Sequence, residues 1–295
     1  MKPDRETPDR PYFDLPAEAS DPAHSAAVLV PVPYDETASW LKGTAGGPEA
    51  IREASLQVEL WDIETCSEPW RHGIAALEPI VTREPPEILA GRVETAIGRL
   101  LSDARLPVVV GGEHSVTIGA VRAAVAAYPG LSVLQIDAHA DTRESYQGST
   151  HNHACVMARV RELCPIVQVG IRSVDSDEVD GLERDRVFWA HEIVRAPTDV
   201  WIREVVDLLG GDVYVTIDVD AFDPSIVPAT GTPEPGGLDW YQVTALLALV
   251  ARRRRVVGFD VVELLPGHPP SSFLAAKLIY RFLAQIFAAA TAAGA

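Results

Sequence analysis

Three short strings in this 295-residue chain carry most of its chemistry. Asp137-Ala138-His139-Ala140-Asp141 puts metal-ligand side chains at i, i+2 and i+4, so an extended backbone turns all three to one side. Asp218-Val219-Asp220 does the same with two carboxylates, which repel strongly at close range unless a cation or a proton lies between them. Gly111-Gly112-Glu113-His114-Ser115 adds a second imidazole behind two glycines. Taken singly, these are an ordinary solvent-facing loop, a loop histidine and a tight strand-to-helix turn. Taken together, three groups of hard or borderline ligands each follow an apolar run, and the ordinary explanation would have to hold independently at all three.

His114, Asp137, His139, Asp141, Asp218 and Asp220 are too many ligands for one tetrahedral zinc, and no thiolate is among them. They suit two divalent ions bridged by carboxylates, roughly 3.5 Å apart. About one imidazole per ion among mostly oxygen donors favours Mn²⁺; ligand type alone leaves Ni²⁺, Co²⁺ and Zn²⁺ open. Two such ions acidify a shared water. The chemistry implied is attack by the resulting hydroxide on an electrophilic carbon or phosphorus.

These strings need a scaffold. Apolar runs of strand length fall at residues 26–32, 107–110, 131–136, 166–169, 187–189, 213–217 and 256–262. Most are continuously apolar and rich in Val and Ile, as strands buried on both faces are. Helical periods lie between them, at 48–60, 88–101, 115–128, 154–163, 201–209, 239–251 and 271–289. Pro48 suits a first helical turn, and Asp239 and Ser271 suit N-caps. The alternation predicts an α/β domain, a parallel sheet with helices on both faces, whose ligands bind at the carboxyl ends of the strands. All three strings stand there, and Glu263 follows the last strand. Residues 1–25, polar and rich in Pro and Asp, read as an N-terminal arm that is ordered only if something docks it. Residues 26–295 read as a single catalytic domain with no Gly/Ser linker and no internal repeat.

Acidic residues outnumber basic ones 42 to 25, for a formal charge of −17. Such a surface disfavours nucleic acid and attracts small cations. Arg252 to Arg255 read as a solvated helix end. No apolar run approaches the ~20 residues of a membrane span, and the charged, Pro-rich start is unlike a secretory signal, so no membrane partner is expected. Cys66, Cys155 and Cys164, odd in number and without C-x-x-C spacing, read as reduced thiols of a cytoplasmic protein.

GGEHS, DAHAD, IDVDAFDPS and DVVELLPG, in that order, resemble the ureohydrolase family of arginases, agmatinases and their relatives. The resemblance runs over about residues 31–287. PYDETASWLKGTAGGPEAIREAS, VGIRS and PATGTPEPGG look most like bacterial and archaeal agmatinases. It implies a three-layer α/β/α fold around a mostly parallel sheet of about eight strands, and a homotrimer or homohexamer. It implies that His114 and Asp141 bind the first manganese, His139 and Asp220 the second, and that Asp137 and Asp218 bridge both. It further implies that hydroxide attacks a guanidinium carbon, that Asp141 passes its proton to the leaving amine, that His153 shuttles protons, and that Glu263 grips the guanidinium. Glu113 departs from a pattern in which many members carry Asp. His151 is the alternative to His153, whose following residues fit the pattern.

The substrate implied first is agmatine, cleaved to putrescine and urea. Guanidinobutyrate, guanidinopropionate, arginine, guanidine and formiminoglutamate are alternatives within the family. A free Arg143 would favour a carboxylated substrate, whereas an Arg143 neutralised by Glu144 or another acid would tolerate a cationic one. Outside the family, a deacetylase or a phosphoesterase on a related frame is the alternative; the carbonyl chemistry of a deacetylase needs an oxyanion donor, commonly a Tyr or His, where Glu263 stands. A non-catalytic subunit would have lost ligands, and all six are present.

Overall fold

The computed structural model describes residues 10–294. In chain order its principal elements are β1 (Ala27–Val32), α1 (Gly47–Ser55), β2 (Ile74–Ala76), α2 (Pro86–Ser102), β3 (Leu106–Gly111), α3 (Thr117–Ala127), β4 (Leu131–Ile136), α4 (Val156–Arg161), β5 (Ile166–Ile171), α5 (Ser176–Val179), β6 (Val187–Trp189), α6 (Ala190–Ile193), α7 (Thr198–Leu208), β7 (Asp212–Asp218), α8 (Trp240–Arg253), β8 (Arg255–Val262) and α9 (Pro269–Gly294). The strands form one eight-stranded sheet in the order β2-β1-β3-β8-β7-β4-β5-β6, and every pairing is parallel.

Strand alternation divides the core into two layers. Ala27 and Leu29 of β1, Val108 and Val110 of β3, and Leu134 and Ile136 of β4 face α1, α7, α8 and α9. Val28, Val30, Val109 and Val133 face α2, α3 and α4. Both sheet faces are therefore covered, which is why the strands read as unbroken apolar runs rather than alternating ones. Each fully buried Val or Leu contributes roughly 1.5–3 kcal/mol. The three-layer α/β/α fold expected from the sequence is the one present.

The differences from the sequence reading are local. β2 is three residues long, too short for a periodic signal. α1 stops at Ser55 rather than near residue 60; there the Ser55 hydroxyl accepts from the Phe13 backbone N–H at 2.8 Å. Asp239 caps α8 through a capping box with Gln242. Ser271 is not a cap. α9 begins at Pro269, and because Pro269 and Pro270 lack N–H groups, the Ser271 N–H is the first donor, met by His268 Nδ1 at 3.3 Å.

α9 also corrects the expectation that no apolar stretch approaches membrane-spanning length. By length and composition, Pro269–Ala292 could cross a bilayer. Here it packs against α1 and α8, with Ile279, Tyr280, Phe282 and Leu283 fully buried, so its apolarity is that of a core helix. Its charged Arg281 pairs with Asp62 at 2.6 Å and with Glu64. The described part of the arm, residues 10–25, lies against this same layer. The Tyr12 hydroxyl donates to the Pro48 carbonyl at 3.0 Å, and the Phe13 ring packs 5.0 Å from Tyr280. Residues 1–9 of the expected arm lie outside the described residues.

Candidate metal centre

The sheet order makes β3, β8, β7 and β4 consecutive neighbours, so the four strand ends that carry chemistry stand side by side at its middle. After β3 the chain passes so close to the loop following β1 that a Cβ on Gly112 would lie 2.0 Å from the Tyr34 carbonyl oxygen; glycine is required there. That passage delivers His114. β4 delivers Asp137, His139 and Asp141, β7 delivers Asp218 and Asp220, and β8 delivers Glu263. Asp141 and Glu263 are held at φ 54° and 64°, a left-handed conformation uncommon for such residues and found where surroundings over-determine the backbone.

The six predicted ligands converge. His114 Nδ1 lies 3.2 Å from Asp137 Oδ2, 3.1 Å from Asp141 Oδ2 and 3.5 Å from Asp218 Oδ2. His139 Nδ1 lies 2.9 Å from Asp220 Oδ2 and 3.8 Å from Asp137 Oδ1. Ligand atoms of His114, Asp137 and Asp218 gather within 4.8 Å of one another, and so do those of Asp137, His139 and Asp220; Asp137 belongs to both groups. Asp218 joins only the first.

The fit of these residues to cations rests on the protons. Thr216 Oγ1 donates to Asp260 Oδ1 at 2.6 Å, so it accepts from His114 Nε2 at 2.8 Å. The Nε2 hydrogen is thereby occupied, and Nδ1 sits buried among three carboxylate oxygens with hydrogen-bond geometry to none of them. A lone pair facing carboxylates is repulsive unless a positive charge lies between them. The charge balance agrees. Burial, then repulsion from Asp220 and Asp141, pushes Asp137 up to about 7. Burial and the neighbouring Asp220 and Asp137 hold Asp218 well above the usual carboxylate range. Asp220 alone falls, to about 2: burial opposes this, but His139 outweighs it. The two imidazoles answer the same acids. Burial opposes it, but Asp137 and Asp141 hold His114 well above the usual imidazole range, and Asp220 and Asp137 raise His139 to about 10. The carboxylates thus draw positive charge into the site, as a site for divalent ions would.

A layer of supporting polar groups escaped the sequence reading. Asp260 is fully buried and also accepts from Thr117 Oγ1 and Tyr214 OH, both at 2.9 Å. Gln135 Nε2 donates to Asp137 Oδ2 at 2.7 Å, and Gln168 Nε2 fixes Gln135 Oε1 at 2.6 Å. The signal was present: Gln135, Gln168, Thr216 and Asp260 are polar residues inside otherwise apolar strands. Arg172 is another. Its guanidinium donates only to backbone carbonyls, including Asp220 at 2.7 Å and Glu234 at 2.7 Å, and so ties the loop after β7 to the site.

The cluster opens into a cleft of about 290 Å³ lined by Asp141, His153, Arg143, Glu234, Glu263 and Trp40 among others. Glu263 accepts from the His114 backbone N–H at 2.7 Å through Oε1. That is a difference from a carboxylate with both oxygens free for a guanidinium; Oε2 lies on the Gly231 side of the cleft. Burial, then the charge of Glu113, raises Glu263 to about 8. Glu113 itself is buried beside His114 and accepts from Ser115 Oγ, Thr37 Oγ1 and the Thr37 N–H at 2.5, 2.6 and 2.7 Å. His153 lines the cleft, whereas His151 turns away, its Nε2 2.8 Å from Arg122 Nη2. Arg143 is paired with Asp175 at 3.1 Å and Glu178 at 3.6 Å and stacks 4.6 Å from the Tyr146 ring centroid. Glu144 does not neutralise it; Glu144 pairs with Arg159 at 2.6 Å and with Arg161.

Comparison with known proteins gives consistent results. A model of the arginase family matches residues 25–284. An N(1)-aminopropylagmatine ureohydrolase of Synechocystis is 40% identical over 274 residues, 88% of this chain and 89% of the relative. An agmatinase of Pyrococcus horikoshii is 33% identical over 284 residues, 91% and 94% of the two chains. The crystal structure of an agmatine ureohydrolase of Thermoplasma volcanium superposes with a TM-score of 0.88 at 32% identity, covering 97% of each chain.

Proposed function

This chain belongs to the arginase family of binuclear metal enzymes and is a hydrolase of amidine C–N bonds, and from that premise we propose that it removes urea from a guanidino polyamine, N(1)-aminopropylagmatine ahead of agmatine. The sequence pointed to agmatine first. The observation that moves the choice is the charge balance of the cleft. Arg143, the guanidinium in its wall, is neutralised by Asp175 and Glu178, which leaves no unpaired Arg or Lys for a substrate carboxylate there among the described residues. Glu234 lines the same cleft with no ion pair among the described residues, near the largely exposed Trp40. A carboxylate and an indole lining one cleft suit a second ammonium group, by ion pairing and by cation–π attraction. The names carried by the relatives at 40–41% identity support the same reading.

Two divalent ions, Mn²⁺ by the donor set, would be held by His114, Asp137, Asp141, Asp218, His139 and Asp220, and would supply Lewis acidity and an acidified water. Glu263 orients the guanidinium, a planar cation whose N–H groups match a fixed carboxylate. Asp141, at once in the cluster and in the cleft wall, holds the proton that the leaving amine takes up. His153, which lines the cleft, moves protons between the site and solvent.

The test is a panel of urea-release assays. Aminopropylagmatine should give the highest kcat/KM, agmatine less, and guanidinobutyrate and arginine least. Glu234→Gln should lower kcat/KM for aminopropylagmatine roughly tenfold, the worth of one charge-assisted contact, while agmatine changes less. Equal turnover of guanidinobutyrate would count decisively against a polyamine substrate.

The two loop histidines should differ in kind. His153→Ala should lower kcat by roughly 100-fold or less at normal metal content, because buffer can substitute in part for a proton shuttle. His151→Ala should do less, since its imidazole is paired with Arg122 outside the cleft. Steady-state kinetics in buffers of increasing concentration would check this, and a larger loss from His151→Ala would reverse the assignment.

A further inference from the structure

The hydroxyl of Thr37 stands between Glu113 and His153. It lies 2.6 Å from Glu113 Oε1, 3.2 Å from His153 Nδ1 and 3.0 Å from the His153 backbone nitrogen. A hydroxyl has one hydrogen and two lone pairs. Three donors converge on the Glu113 carboxylate, from Thr37 Oγ1, the Thr37 backbone and Ser115, which fixes that carboxylate as an acceptor. The single Thr37 hydrogen therefore goes to Glu113. The His153 backbone N–H fills one of the two Thr37 lone pairs. The other faces Nδ1, and it is satisfied only if Nδ1 carries the ring proton.

We propose that Thr37, itself held by Glu113, is a positioning residue that fixes His153 as the Nδ1–H tautomer and so leaves Nε2 as a bare lone pair on the opposite edge of the ring. Its catalytic consequence rests on the reading of His153 as the proton carrier. A bare nitrogen can take a proton only if the other nitrogen already holds one, so the hydroxyl decides which way the shuttle faces. Tyr146 packs edge-on against the imidazole, centroids 6.1 Å apart and planes at 89°, which limits rotation of the ring. Nothing in the sequence string around His153 announces Thr37, which comes from the loop after β1, 116 residues away.

Nitrogen NMR of ¹⁵N-histidine protein reads the tautomer directly. The enzyme should be loaded with Zn²⁺, which is diamagnetic, at a pH where the imidazole is neutral, with His153→Ala to assign the resonances. The parent should show protonated Nδ1 and bare Nε2. Thr37→Val keeps the side-chain shape and removes the hydroxyl; the proton should redistribute toward Nε2, and kcat should fall roughly tenfold with KM altered less than about twofold. Thr37→Ser should restore both the spectrum and kcat. A parent enzyme with the proton on Nε2, or a Thr37→Val spectrum like that of the parent, overturns the proposal. A moved proton with unchanged kcat leaves the tautomer assignment standing and removes instead the proton-carrier role of His153.

Discussion

Asp218→Asn is expected to abolish measurable urea release and to empty at least one metal position. Asp218 stands in the group with His114 and Asp137, its Oδ2 turned toward His114 Nδ1 and its Oδ1 accepting from the Asp220 backbone N–H at 2.8 Å. Asparagine can keep that backbone hydrogen bond. Its NH₂ group would then point at His114 Nδ1 and occupy with a donor the place a cation needs. Loss of a supporting hydrogen bond around a metal ligand costs about 10- to 100-fold in affinity, and loss of a bridging ligand should exceed that. The variant should fold. Burial and repulsion from Asp220 and Asp137 make the Asp218 charge unfavourable without cations, so the metal-free variant should melt no lower than the metal-free parent. The parent, in contrast, should gain melting temperature with added Mn²⁺, because an ion that binds only the folded chain stabilises it by mass action. Elemental analysis, urea release and melting curves on one preparation decide the matter. Full metal content with near-normal activity would remove Asp218 from the ligand set.

Glu263→Gln should keep both metals and lose most of kcat/KM. The backbone at Glu263 is fixed twice: its N–H donates to the Gly112 carbonyl at 2.8 Å, and its carboxylate accepts from the His114 N–H at 2.7 Å. Glutamine can preserve the second contact through its remaining oxygen, so the left-handed turn and the placement of His114 should survive. The group offered to the cleft changes from an acceptor oxygen to an NH₂, which meets a guanidinium donor against donor. Such a loss in a desolvated site costs about 2 to 5 kcal/mol, or roughly 30- to 5,000-fold in kcat/KM. The conserved shape makes the charge the only large change. Activity within about twofold of the parent would dismiss Glu263 as the guanidinium anchor. Loss of metal would place it in the metal shell instead.

The strand ends were legible because chemistry and fold share the same short strings there. Each ligand string follows directly on a buried apolar run, so placing the strand places the ligand. Strand order was not legible. Insertion of β8 between β3 and β7, which brings Asp260 under His114 through Thr216, depends on packing of β8 against β3, a segment far away in the sequence. Thr37, Asp175 and Glu178 escaped for a related reason: they are ordinary polar loop or short-helix residues until the fold sets them against His153 and Arg143. Glu144, next to Arg143 in sequence, was the nearer candidate to pair with it, yet the turn after Asp141 sends the two side chains in different directions. β2, with three residues, and the His268 cap of α9 lie below the length and outside the residue types that sequence rules read.

The Arg172 clamp has an evolutionary consequence. Its guanidinium holds the loop after β7 through main-chain oxygens, those of Asp220, Ala221, Phe222 and Glu234, and is itself steadied by the Gly170 carbonyl of β5. Every amino acid presents that oxygen, so the clamp is indifferent to which side chains the loop carries. Residues such as Thr232 and Glu234 can change identity while the loop keeps its path beside the metal ligands. The wall of the cleft formed by this loop is thereby uncoupled in sequence from the metal-ligand cluster, and a scaffold of this kind can vary that wall by single substitutions without rebuilding its centre.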